Sequence, residues 1–491
     1  MTEVTFTELT GGAGVHLLSA QPGPDLAAHG YVESEYAARG ITRRFVADPD
    51  NAGPITEDGS AEFVTRIVVR RPADPAAFNG CVVAEWLNVS GGADTAPEYT
   101  YLAEELVRGG YAWVGVSAQY TGVMGGTDSV DLATTGTMDA AGDDAPSGAE
   151  QVGTGKALGA VDPARYASLS HPGDAYCYDI FGLIGASLGT TPRTDVAAAG
   201  RPLDGLAVRH LLAVGESQAA MALTTYVNRF AHLHNAFDGM LIHSRAVGEL
   251  PLGEFGGPVD ITRAYRSEPV RLRDDATAEV IVVQTETDVL GDLDYFRARQ
   301  PDTERLRIWE VAGTSHADRF QIGEYEELLG CPLPVNRGQQ RFVLRAALRH
   351  LRAWVAEGTP PPAAPPLEVD AAADGPRYVV DDAGNVRGGV RTPCVDAPTQ
   401  TLSGLVDGTG VSRICVLFGS TTAAPPDALA RRYRDADDYL ARYRVATDAA
   451  IDAGFVLADD RDHVLDDARP DLVPNQRPRS EEVKQYNGIR P

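Results

Sequence analysis

The chain of 491 residues is 43% hydrophobic and carries 43 basic against 69 acidic side chains, a formal net charge of −26 in which only Lys156 and Lys484 are lysines. That charge repels polyphosphates and anionic bilayers, so nucleic acid and membrane surfaces are not expected as partners, and neutral or cationic small molecules are. No run approaches the ~18 consecutive apolar residues of a membrane span, and Met1–Phe6 lacks the basic start and apolar core of a signal peptide, so the protein is read as soluble and cytoplasmic.

Residues 1–65 hold short alternating segments, such as Thr42–Val46, between Gly/Pro turns, and lead into an antiparallel pair. Ala61–Arg70 alternates in part and reads as an edge strand. Cys81–Asn88 reads as the first strongly buried strand and ends in the polar loop Val89–Gly92. Pro97–Arg108 places Tyr101, Leu102, Leu106 and Val107 on one helical face, and Tyr111–Ser117 is the next buried strand. Strand, helix, strand at this spacing is a βαβ unit and requires a parallel sheet. Gln119–Leu169 is rich in Gly, Ala, Asp and Thr and has little periodicity, so it is expected to form a cap or pocket wall at the carboxyl end of a strand.

A helix over Tyr178–Leu188 follows, then a strand within Leu206–Val214. Further strands are expected at Phe237–His243, Glu279–Gln284 and Arg305–Val311, with a second irregular excursion at Ser244–Asp275. Phe342–Ala356 is an amphipathic helix, and Thr359–Pro366 is a proline-rich connector. These features define a core over residues 1–366, interrupted at about 119–169 and 244–275. An extension over 367–491 contains one helix, Pro426–Ala453. The five cysteines, Cys81, Cys177, Cys331, Cys394 and Cys415, are odd in number and show no C-x-x-C spacing. They are read as free buried thiols, not as a disulfide frame or a zinc site.

The chemistry centres on Gly215-Glu216-Ser217-Gln218-Ala219, where a strand breaks at a glycine and resumes as a small-residue helix. A serine on so sharp a turn has its hydroxyl lifted above the strand ends, and its neighbours must be small. The backbone N–H of Gln218 then points from a helix N-terminus toward a developing oxyanion. A second donor is expected from the loop after Cys81–Asn88, at the N–H groups of Asn88 or Val89. The serine needs a base on the same rim. His316, five residues past Val311 in a Gly/Ser-rich loop, is the candidate. The imidazole in turn needs a carboxylate, and Asp288 and Glu286 both follow the strand Glu279–Gln284 and precede His316. Asp288 is the first choice and Glu286 the alternative. His210 and His243 are expected to be structural or pocket-lining, and Asp318 to cap a helix or lie at the surface. Glu216 is read as a local hydrogen-bonding group or a polar pocket wall, and His232 and His234 are not expected to form a metal site.

Serine, acid, histidine is the chain order of α/β-hydrolases, and the sequence resembles that superfamily. More narrowly, it resembles a bacterial family of "alpha/beta hydrolase domain" proteins of similar length. The stretches that carry the resemblance are Glu85–Gly92, His171–Phe181, Gly215–Ala219, Thr285–Asp288, Ala312–Asp318 and Gly384–Pro393. The resemblance implies a mostly parallel sheet flanked by helices, with capping insertions and a C-terminal extension. It also implies a serine hydrolase that needs no metal or organic cofactor. A carboxylic ester is the expected substrate, with amide hydrolysis, acyl transfer or a non-catalytic binding role as the alternatives. Neither the oligomeric state nor the acyl group follows from it.

Overall fold

The computed structural model describes residues 4–17, 23–47, 55–126, 155–189, 201–372, 375–406 and 411–474. Two small two-stranded antiparallel sheets, Val369–Ala372 with Gly375–Tyr378 and Gln400–Ser403 with Ser420–Ala423, lie in the C-terminal part, and a nine-stranded sheet forms the centre of the fold. Its strands are β1 (Thr5–Glu8), β2 (Tyr31–Val46), β3 (Thr56–Pro72), β4 (Cys81–Trp86), β5 (Ala112–Val116), β6 (His210–Glu216), β7 (Gly239–His243), β8 (Glu279–Thr285) and β9 (Leu306–Val311). They lie in the order β1-β2-β3-β5-β4-β6-β7-β8-β9. The first three strands and the β3–β5 pair are antiparallel, and every pairing from β5 to β9 is parallel.

The parallel half is covered on both faces, as its continuous apolar runs require. Alternate residues sort to opposite sides. Leu211 and Ala213 of β6 pack with Ile180, Phe181 and Leu183 from the helix Cys177–Gly189. Leu212 and Val214 pack with Leu102 and Leu106 from the helix Pro97–Arg108 and with Leu344, Leu348 and Leu351 from the helix Gln340–Glu357. With both faces buried, the loops at the carboxyl ends of the strands are the place left for chemistry.

Four expectations need correction or limitation. Ala61–Arg70 is not an edge: it lies in β3, between β2 and β5, and β1 is the outer strand. Its central charged residue, Arg66, is buried against Asp94 and Glu35, so an interior position takes on the partly alternating look of an edge. Residues 426–453 form two helices, Pro426–Arg432 and Ala436–Asp452, because extended Asp435 caps the second by accepting from the Asp438 amide at 2.8 Å. Cys331 and Cys415 form a disulfide with Cα atoms 5.5 Å apart, while Cys81, Cys177 and Cys394 are free. The pair is 84 residues apart and is brought together by tertiary packing that spacing does not encode. Disulfides persist in oxidising surroundings, so the cysteines lend no support to a cytoplasmic location. Of the first excursion, residues 127–154 lie outside the described residues.

The chain after residue 366 attaches along β9 and the loops at its end. Val390 donates to Glu310 O at 2.7 Å and accepts from the Ala312 amide at 3.0 Å, and Leu417 O accepts from the Ala317 amide at 3.1 Å. Tyr433, Tyr439 and Tyr443 bury against Phe342. No helix among the described residues is long and apolar enough to cross a membrane.

Candidate active site

Ser217 stands between β6 and the helix Gln218–Thr225 with φ 60 and ψ −115. A serine pays for that left-handed backbone, and its surroundings hold it there. Its amide donates to His243 O on the neighbouring strand at 2.9 Å. The turn also requires small neighbours. A methyl on Gly215 would approach Ala219 Cβ and Leu223 Cδ1 to 3.1 Å, closer than ordinary contact, whereas alanine at 219 fits as it stands.

Three strand ends converge on this serine. His316, after β9, places Nε2 2.8 Å from Ser217 Oγ. Its Nδ1 lies 2.7 Å from Oδ1 of Asp288, which sits in the single helical turn Glu286–Leu290 after β8. A carboxylate can only accept, so Nδ1 carries the hydrogen and Nε2 is left to accept from the serine. The other oxygen, Asp288 Oδ2, accepts from Ser244 Oγ and from the Thr285 amide, each at 2.7 Å. Burial alone would raise the Asp288 carboxyl. The hydrogen bond and charge of His316, with the bonds from Thr285 and Ser244, hold it below the usual carboxylate value. Burial likewise disfavours the His316 cation, but Asp288, with a further contribution from Glu216, raises its pKa.

The alternative acid is turned elsewhere. Glu286 accepts from the Gly313 amide at 2.6 Å and from the Gly404 amide at 2.8 Å, and burial pushes its carboxyl up to about 7. The structure brings Asp288, and not Glu286, to His316.

The loop after β4 is placed beside the serine. Asn88 is unsuited as a backbone donor, because its N–H bonds Thr95 O at 3.0 Å in a two-way bridge. It is a scaffold instead: its Nδ2 donates to Glu216 O at 3.1 Å, and its Oδ1 accepts from the Ser90 amide at 2.8 Å. The Val89 N–H faces the Gln218 side chain, with Oε1 at 3.3 Å. The Gln218 amide lies in the first turn of its helix, where N–H groups have no intrahelical acceptor.

Several neighbours escape a reading of spacing alone. Glu216 Oε1 lies 3.6 Å from His316 Nε2, and burial pushes its carboxyl up to about 7. Behind it, fully buried His243 meets Glu98 at 2.9 Å. Burial opposes the His243 cation, yet Glu98 overrides this and raises its pKa to about 9. Ser244, which orients Asp288, follows the end of β7 directly, and that position is the one signal that could have flagged it. Asp318 caps the turn Arg319–Ile322 by accepting from the Gln321 amide at 2.9 Å. His210 is partly exposed at the start of β6, 4.0 Å from Asp238. His234 is buried against Asp179 at 2.9 Å. Among the described residues no three His, Cys, Asp or Glu side chains group as metal ligands would.

A mostly parallel sheet, with a serine elbow, an acid turn and a histidine loop leaving the ends of β6, β8 and β9, is the architecture of the α/β-hydrolase class. The family model described as "Alpha/beta hydrolase domain" matches residues 5–466, and the chain belongs to that family. No curated protein matches it. Solved structures similar to it include fungal esterases from Rhizomucor miehei, at 13% identity over 71% of this chain and 100% of that one, TM-score 0.31. Est1E from Butyrivibrio proteoclasticus is 10% identical over 64% of this chain and 99% of its own, TM-score 0.30. A glucuronoyl esterase from Solibacter usitatus is 10% identical over 63% and 80%, TM-score 0.27. At such identities and scores no substrate transfers from them.

Proposed function

We propose that the protein is a serine hydrolase that cleaves a carboxylic ester of a small molecule through an acyl-enzyme. One observation carries the reading: the unbroken hydrogen-bonded chain from Ser217 Oγ through His316 to Asp288.

In this mechanism Ser217 Oγ attacks the carbonyl carbon as His316 Nε2 takes its proton, and the carbonyl π pair moves onto oxygen. The N–H groups of Gln218 and Val89 stabilise that oxyanion, a contribution of ~3–4 kcal/mol per donor. The pair returns, the C–O bond to the alcohol breaks, and His316 delivers the proton to the leaving oxygen. Water then repeats the attack and frees the acid. Asp288 stays ionised throughout, fixing the tautomer and stabilising the imidazolium. No step calls for a metal or an organic cofactor.

The test compares wild type with Ser217→Ala on p-nitrophenyl acetate and butyrate, and on labelling by a fluorophosphonate. Wild type turns over both esters and is labelled, and the variant does neither. Equal turnover by the two would remove Ser217 as the nucleophile.

A further inference from the structure

The His171–Asp174 run and Gln119, the first residue of the irregular excursion after β5, take no part in the proton path. Both are nevertheless tied to it by buried amides. Gln218 is fully buried, and Gln119 and Asp174 are each 1% exposed. Gln218 Oε1 accepts from the Val89 amide at 3.3 Å, and its Nε2 donates to Gln119 Oε1 at 2.6 Å. Gln119 Oε1 also accepts from Trp86 Nε1 at 2.9 Å, while its Nε2 donates to Asp174 Oδ2 at 3.3 Å. Asp174 is held in turn by the amides of Tyr120 at 2.6 Å and Val259 at 2.8 Å.

The polarity of this chain has one solution. The Val89 N–H and the Trp86 indole N–H can only donate, so each must meet a carboxamide oxygen. That sets Gln218 with its NH₂ toward Gln119, and Gln119 with its NH₂ toward the Asp174 carboxylate, which can only accept. Each link thus fixes the rotamer of the next. The loop that the chain steadies has reason to be loose, since Val89 is followed by Ser90, Gly91 and Gly92.

Resting on the serine-hydrolase reading, we propose that the Gln218 side chain, braced by Gln119 and Asp174, is a positioning strut for the Val89 N–H. One residue would then supply an oxyanion donor from its backbone and place the second with its side chain. The Val89 bond is long, so the N–H is parked and not committed. When negative charge develops beside Ser217 Oγ, the N–H shares its hydrogen with that stronger acceptor while Gln218 Oε1 still holds its direction. The Asn88 N–H, locked to Thr95 at 3.0 Å, has no such freedom.

Donors displaced by about 1 Å cost on the order of 10²-fold in rate. Gln218→Met keeps the backbone N–H and removes both side-chain bonds. It is expected to lower kcat on p-nitrophenyl butyrate by about 10- to 100-fold, to leave KM within about twofold, and to slow fluorophosphonate inactivation in parallel. Gln119→Leu acts through the same strut, so the double variant is expected to be no slower than Gln218→Met. Multiplying losses in the double variant, an unchanged kcat in Gln218→Met, or a loss in KM alone would overturn the strut. Should Gln119→Leu fail to fold, the kcat-against-KM split in Gln218→Met decides by itself. A wild type that is neither labelled nor active defeats the serine-hydrolase reading first, and the strut with it. A labelled, active wild type with an unaffected Gln218→Met defeats the strut alone.

Discussion

Glu286 and Gly404 stand 118 residues apart, and the Gly404 amide donates to the buried Glu286 carboxyl at 2.8 Å. The same carboxyl accepts from the Gly313 amide at 2.6 Å, three residues before His316. One side chain therefore ties the C-terminal segment to the loop that carries the imidazole. The Tyr378 hydroxyl donates to the Glu286 backbone carbonyl at 2.7 Å and adds a second tie.

Replacing that carboxyl should cost stability. In Glu286→Gln one amide donor meets an NH₂ group, and an unpaired buried donor costs about 1–3 kcal/mol. Thermal unfolding at neutral pH should show a lower Tm than wild type. The pH dependence has a defined sign. The folded-state carboxyl is raised from 4.5 to about 7, so the folded state binds more protons. Its contribution is fully present below 4.5 and is lost as pH rises through about 7. Gln lacks that titration, so the gap in Tm between wild type and variant should narrow from pH 5 to pH 8. A gap that widened would contradict the assignment.

Asp288→Asn tests the other carboxylate. It should cost activity more than fold, because an amide facing His316 Nδ1 favours the tautomer that cannot accept from Ser217. A fall in kcat of roughly 10³- to 10⁴-fold on p-nitrophenyl butyrate is expected, with fluorophosphonate labelling slowed to match. Glu286→Gln assayed beside it should retain most of its kcat. The reverse ranking would exchange the two roles.

What could be read along the chain was whatever is encoded locally. Gly215, Ser217 and Ala219 sit within five residues, and the apolar run before them and the small helix after them mark the turn. His316 stood out because it follows the last apolar strand at short range. The choice between Asp288 and Glu286 was legible only as a preference for Asp288: they are two residues apart on one helical turn, and where Glu286 points is shown by the amides of Gly313 and, far along the chain, Gly404. The Asn88 amide was lost to a bridge with Thr95 for a similar reason, since register is a property of paired segments. The Cys331–Cys415 disulfide and the interior placement of β3 likewise depend on contacts between distant segments, and neither periodicity nor spacing records them.

Glu216 should shape the pH profile. Its carboxyl lies 3.6 Å from His316 Nε2 and helps raise the imidazole pKa. A base must be neutral to accept a proton, so kcat/KM should climb with pH through a midpoint above 6.5, the ordinary histidine value. Burial pushes the Glu216 carboxyl itself up to about 7, so it carries its charge on the upper part of that limb, and Glu216→Gln removes that charge from beside the imidazolium and destabilises it there. The acidic limb should therefore move to lower pH, with the plateau reached earlier. A limb that stayed in place or moved upward would separate Glu216 from the titration of His316.

The Cys331–Cys415 disulfide should matter to both stability and rate. It joins the segment before the helix Gln340–Glu357 to the segment Arg413–Leu417. Those two segments pack together around Ala317, next to the imidazole, with Ile322, Val335, Ile414 and Phe418. The Ala317 amide donates to Leu417 O at 3.1 Å, and the Asn336 amide donates to Phe418 O at 2.9 Å. Cross-linking residues 84 apart restricts the unfolded chain, an effect worth about 2–4 kcal/mol. Cys415→Ser, or reduction with a phosphine, should lower Tm by several degrees. It should also lower kcat more than it raises KM, because the loop that presents His316 loses part of its backing. Free-thiol titration of the unfolded protein should count three thiols before reduction and five after. A count of five in the untreated protein, or a Tm indifferent to reductant, would remove the cross-link as a brace of the site.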